Sequence, residues 1–136
     1  MIHKMKLNES PFERIKNGTK TIEFRLYDEK RRQINIGDKI EFSKLPELQE
    51  TILVEVLELY REETFEDLFK KLYTDEKEIK RKTNSMYKYY SHEKEKQYGV
   101  IGIKISLISN GFRYTYNKLV RDRIPENIDS EPGMNQ

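Results

Sequence analysis

Gly18-Thr19-Lys20-Thr21-Ile22-Glu23-Phe24-Arg25-Leu26 is the stretch from which the fold is read. Ile22, Phe24 and Leu26 share one parity, and Thr21, Glu23 and Arg25 share the other. That alternation predicts a half-buried strand over residues 20–26, with a polar outer face. Just upstream, Asn17-Gly18 ends a short helix. Ser10-Pro11 supplies its expected N-cap and first position, and Phe12 and Ile15 its apolar stripe. Ile2, Met5 and Leu7 predict a first strand.

Downstream, Asp28 to Arg32 reads as a charged loop, and Gly37-Asp38 as a turn before a strand over 39–42. Pro46 marks a loop. Residues 51–60 form the longest strand candidate. Its apolar parity slips from Ile52, Val54 and Val56 to Leu57 and Leu59, as a bulge or corner would require. Thr64 and Asp67 form a cap for a helix carrying Phe65, Leu68, Phe69 and Leu72. Residues 74–84 read as loop or exposed helix, and residues 85–98 as helix closed by Gly99. Residues 100–108 form an apolar strand with Ile101, Ile103, Ile105 and Leu107 on one face. About five strands with two or three short helices imply an α+β domain or a small β-barrel.

Composition narrows the function. The 136 residues fit one domain. Hydrophobic residues are 35% and charged residues 37%, with 9 Tyr and 6 Phe making up part of the missing core. The absence of cysteine excludes disulfides, thiol catalysis and cysteine zinc sites. Two histidines exclude a multi-histidine metal site, and no metal or cofactor is expected. No apolar run approaches the roughly 18 residues of a membrane span, and Met1–Leu7 lacks an apolar signal region. A cytoplasmic protein is expected. Net charge is +2, with the basic excess in residues 1–44, which hold 11 Lys and Arg against 7 Asp and Glu. No phosphate-loop motif occurs.

Glu23 and Arg25, two apart on one strand face with Lys20 beside them, can recognise a polar planar ligand. Arg offers a fork for phosphate or a base edge, and Lys20 could serve as a base. The same pattern suits a solvated strand face with cross-strand ion pairs. Lys30, Arg31 and Arg32 suit phosphate contacts or a solvated turn. Tyr87, Tyr89, Tyr90 and Tyr98 either cover the core, with Met86, or stack on bases, Tyr87 being the one left for a ligand. His3 reads as a structural hydrogen-bonder.

Residues 2–42, with the run Pro11-Phe12 through Lys30-Arg31, and residues 86–105, with Tyr98-Gly99-Val100 and Gly102-Ile103, resemble ASCH-domain proteins of the PUA-like superfamily. The resemblance spans about the first 108 residues. It implies a small PUA-like β-barrel of about five to six strands, with two to four short helices around a cleft. It also implies binding of RNA or a modified nucleoside, with Lys20, Glu23 and Arg25 lining the cleft and Lys30, Arg32, Tyr87 and Tyr98 as further contacts. One branch hydrolyses acetylcytidine with a Lys, a Thr three residues later, and a Glu. Glu23 stands where that Thr would be. Ribonuclease activity using Lys20 and Glu23 is the related enzyme alternative.

Tyr116 to Glu126 is similar to the opening of phosphoribosyl-ATP-pyrophosphohydrolase-like (MazG-like) proteins. That implies a truncated leader lacking the magnesium-binding helices, and a regulatory or interaction role beside a nucleotide-metabolism protein. The expected organisation is therefore an ASCH domain over 1–109 and a partly flexible extension over 110–136.

Overall fold

Residues 1–115 are described by a computed structural model. The strands are β1 (Ile2–Leu7), β2 (Ile22–Leu26), β3 (Lys39–Lys44), β4 (Glu50–Glu62), β5 (Val100–Leu107) and β6 (Arg113–Tyr114). The helices are α1 (Glu9–Lys16), α2 (Glu29–Arg32), α3 (Phe65–Leu72), α4 (Glu76–Met86) and α5 (His92–Tyr98). The sheet order is β1-β3-β4-β5-β2, with β6 on β4, which bears out the α+β class. The MazG-like stretch from Tyr116 onward lies outside the described residues.

The chain divides into two compact units, and β4 contributes to both. The first holds residues 1–21, 38–55 and, as far as described, 106–115. Here β1 pairs parallel to β3, and β3 pairs antiparallel to β4 with Ile40 opposite Val54 and Phe42 opposite Ile52. The alternation in β1 buries His3, Met5 and Leu7 and leaves Ile2 outside. His3 Nε2 lies 2.8 Å from the Asp38 carboxylate, the structural role expected of it. Helix α1 packs on β3 with Phe12 and Ile15 buried. It begins after Asn8 rather than Ser10, and the Asn8 side chain makes no cap bond. Lys44 is the polar centre of this unit, bound to Glu13 at 2.9 Å and also to Glu50, which Lys16 approaches at 3.5 Å.

The second unit holds residues 22–37 and 56–105. Antiparallel β2 and β5 place Phe24 opposite Gly102 and Arg25 opposite Ile101. A Cβ on Gly102 would meet the Phe24 ring at 3.4 Å, about van der Waals contact, so the ring lies directly against this strand. Phe24 and Leu26 form a core with Phe65, Leu68, Phe69, Ile79 and Val100. Phe69 meets Phe24 edge-on at 4.8 Å, and Phe65 stacks with Tyr90 at 5.7 Å, geometries that suit the ring quadrupole. Tyr90, Tyr98 and Met86 pack on this core, as one reading of the tyrosine cluster had it. Thr64 accepts from the Asp67 amide at 3.1 Å, the predicted cap.

Three local expectations change. Residues 28–32 are not loop: the Asp28 side chain accepts the Arg31 amide and caps a one-turn helix. The expected helix over 85–98 is broken between α4 and α5, because Ser91 caps a new start by accepting the Lys94 amide. Burial in β4 stops at Val56, and Leu57 is 38% exposed. The second apolar parity is therefore not a buried face.

Burial works against the Lys44 ammonium, but the hydrogen bonds it donates to Glu50 and Glu13, with their negative charges, outweigh it and raise its pKa above 10.5. A raised lysine pKa contributes stability that is full below the unfolded value and disappears as pH rises through the folded one. Lys44→Met should therefore melt below wild type at pH 8, with the difference shrinking above about pH 10.5. Melting curves of both proteins across that range test this, and a constant difference would contradict it. In the second core, Phe69→Ala should cost about 3–5 kcal/mol by denaturant unfolding.

Candidate functional site

Strand β2 is buried on both faces in its middle. Phe24 and Leu26 face the helical core, while Glu23 and Arg25 share their face with Ile103 and Ile101, their partners across β5. Those isoleucines are 0–1% exposed. Glu23 is itself 6% exposed, and its carboxylate takes the Arg25 Nε–H at 2.8 Å. The polar face expected to be solvated is thus sequestered. Buried charges at such a place must be paired, since an unpaired one would cost several kcal/mol.

The chain leaving β2 brings a second pair. Asp28 accepts both the Arg31 amide and Arg31 Nη1, each at 3.1 Å. Arg31 Nε is buried and finds no hydrogen-bond partner. Tyr90 stands within electrostatic reach of all four groups. Burial raises the pKa of its hydroxyl; Arg25 and Arg31 act downward on it, and Glu23 and Asp28 upward. Two carboxylate–guanidinium pairs and one phenol are thereby gathered inside a single unit.

Beside them is a pocket of about 900 Å³, whose lining includes Tyr27, Arg61, His92, Lys96, Tyr98 and Gly99. Gly99 has φ +72°, and a Cβ there would lie 3.1 Å from the Glu62 carbonyl oxygen, so a side chain would be both strained and crowded. Its carbonyl accepts the Tyr27 amide at 3.0 Å. The pocket wall also contains Glu95, which is 4% exposed. Glu95 accepts the Phe65 amide at 2.8 Å and the Tyr87 hydroxyl at 2.9 Å. Burial first, and then the bond to Glu95, pushes the Tyr87 hydroxyl up to about 12. His92 covers one face of the Tyr87 ring, with centroids 3.9 Å apart.

The expected site residues are distributed accordingly. Glu23 and Arg25 lie together. Arg32 is on α2, where its Nε–H donates to the Tyr27 carbonyl at 3.0 Å. Lys30 is exposed on the same turn. Tyr98 lines the pocket. Tyr87 is committed to Glu95 and His92, and so is not the spare ring the sequence suggested. Lys20 belongs to the first unit, where its amide donates to the Arg14 carbonyl at 2.9 Å. Among the described residues, no group of three or more His, Asp or Glu is placed to hold a metal ion. Sequence reasoning missed Tyr27, Arg61 and Glu95. The capped turn from Asp28 to Arg31 was a legible signal for the first; Glu95 resembles its charged neighbours and carried none.

Among the described residues, no helix is long and apolar enough to cross a membrane. No curated protein matches the sequence. Among solved structures, the crystal structure of hypothetical protein PH0355 is 34% identical, with 79% of this chain and all of that one covered and a TM-score of 0.67. The solution structure of protein PF0455 from Pyrococcus furiosus is 35% identical, covering 80% of this chain and 99% of that one, with a TM-score of 0.59. A ZmASCH mutant protein from Zymomonas mobilis shares only 10% identity but covers 90% of this chain and 93% of its own, with a TM-score of 0.55; this last likeness concerns the fold alone. The ASCH domain family matches residues 5–109, and with that span and these relatives, the chain belongs to the ASCH domain family.

Proposed function

We propose that this protein binds RNA or a modified nucleoside through the cluster around Glu23, Arg25, Asp28 and Arg31, within a functional domain spanning residues 1–109. The observation that carries the reading is the under-satisfied Arg31. Its Nε is buried without a partner, and Arg31 acts on the same Tyr90 hydroxyl as the Arg25 guanidinium that Glu23 orients. A buried donor left unpaired costs roughly 1–3 kcal/mol. A planar ligand with acceptors on its edge, as every nucleobase has, would relieve that cost after a small rotation of the side chain. The Glu23 and Asp28 carboxylates add acceptors for an exocyclic amine, so the cluster offers both halves of a base edge. Membership of the ASCH family supports the same reading. Lys20, Lys30, Arg32 and Tyr98 are proposed as outer contacts, with Tyr87 supporting the site through Glu95.

Hydrolysis of RNA or of an acetylcytidine-type nucleoside is the second reading. The buried Glu23 carboxylate favours it, as a candidate acid–base group near Lys20 in sequence. In that reading Lys20 and Glu23 are the catalytic pair.

Fluorescence anisotropy with a short single-stranded RNA should show affinity that falls steeply between 50 and 200 mM salt. Arg31→Lys keeps the charge but loses the fork. It should weaken binding by roughly 5- to 150-fold, equivalent to about 1–3 kcal/mol. Unchanged affinity would remove Arg31 from the site. Incubation with acetylcytidine or RNA, followed by chromatography, separates the second reading: turnover that disappears in both Lys20→Ala and Glu23→Gln would make the protein a hydrolase.

A further inference from the structure

Tyr27 carries two cations on its ring. The Arg61 guanidinium carbon lies 4.1 Å from the ring centroid, and that of Arg32 lies 5.0 Å away. Lys96 and Tyr98 belong to the pocket lining, and Lys94, outside it, stands 5.6 Å from the centre of the Tyr98 ring. Among the described residues, none of these four cations forms an ion pair with a carboxylate. The carboxylates of the pocket wall are largely engaged. Glu62 pairs with Lys71 at 3.3 Å, and Glu95 is buried under the Phe65 amide and the Tyr87 hydroxyl. Only Glu63 remains outward. Two guanidinium groups brought to one ring concentrate positive charge there, while each exposed cation–π contact contributes only about 0.5–1 kcal/mol. An anion bound beside them would be attracted by both charges. The pocket's volume of about 900 Å³ is in the range of small-ligand sites.

We propose that this pocket is a phosphate-binding site, with Arg61, Arg32 and Lys96 as the donors and Tyr27 as the platform that fixes the two guanidinium planes. The proposal rests on the nucleic-acid reading above and deepens it: the ligand carries phosphate, as an RNA strand or nucleotide does, and is not a bare nucleoside. Helix α2 links the two places. In its single turn, Arg31 is held by Asp28 beside the base cluster, while the next residue, Arg32, donates to the Tyr27 carbonyl and lies on its ring.

The test uses the full chain with amide resonances assigned, titrated separately with inorganic tripolyphosphate and with a five-nucleotide oligouridylate. Both should shift the amides of Tyr27, Arg61, Lys96 and Gly99. The oligouridylate alone should also shift Glu23, Arg25 and Arg31. In Arg32→Ala and Arg61→Ala, oligouridylate affinity should fall about 3- to 10-fold each, and each should flatten the salt slope by about 0.7. Pocket amides that ignore both titrants overturn the phosphate site. So does an oligouridylate salt slope unchanged in both variants. Pocket shifts with tripolyphosphate, accompanied by silence at Glu23 and Arg31 with the oligouridylate, keep the phosphate site and overturn the base-recognition reading instead.

Discussion

The pairing of β2 with β5 is the constraint on which the second unit depends. It buries two faces of one five-residue strand that differ completely in chemistry. One face drives Phe24 past Gly102 into the ring stack of Phe65 and Phe69. The other carries Glu23 and Arg25 next to two fully buried isoleucines. A slip of one residue would exchange these faces, placing two charges among phenyl rings. The aromatic core therefore pins the register that seats the ion pair, and pairing is what makes two charges tolerable at so buried a place.

Helix α2 then divides the work between consecutive residues. Its turn is closed by Asp28, and successive side chains on a helix point about a quarter-turn apart. Arg31 is turned back on Asp28, and Arg32 across Tyr27. A four-residue helix has little stability of its own. Here the Asp28 cap, the Arg31 bond and the Tyr27 contacts replace the missing turns. The short helix acts as a connector between a sequestered polar cluster and the pocket that Tyr27, Arg61 and Lys96 help to line.

The pocket itself depends on a polar buttress. Glu95 lies on the buried side of α5 and ties that helix to the start of α3 through the Phe65 amide. Tyr87 closes over the same carboxylate and is stacked under His92. The connection between α4 and α5 is thereby fixed at the pocket wall, in the segment where a continuous helix was expected.

Much of the architecture was legible locally. Period-two alternation marked β2 and β3, apolar residues among charged neighbours marked β1, the Thr64 cap marked α3, and the glycines at 18, 37 and 99 marked turns, all three with positive φ. Residues 74–84, apolar-poor and left open between loop and helix, became most of α4, whose single buried residue is Ile79. The two-residue β6 was not seen at all, because so short a strand has no periodicity. In the site, residue type and spacing brought out Glu23 and Arg25 on one strand face and the basic run at 30–32. The sequence by itself determined the α+β class, the strand that carries the polar pair, and the family resemblance. Only the tertiary structure decided that this pair is buried, that Tyr87 is tied down and that Tyr27 gathers Arg32 and Arg61. These depend on cross-strand register and on how the turns bring Tyr87 to Glu95 and Tyr27 to Arg32 and Arg61, which no local pattern encodes.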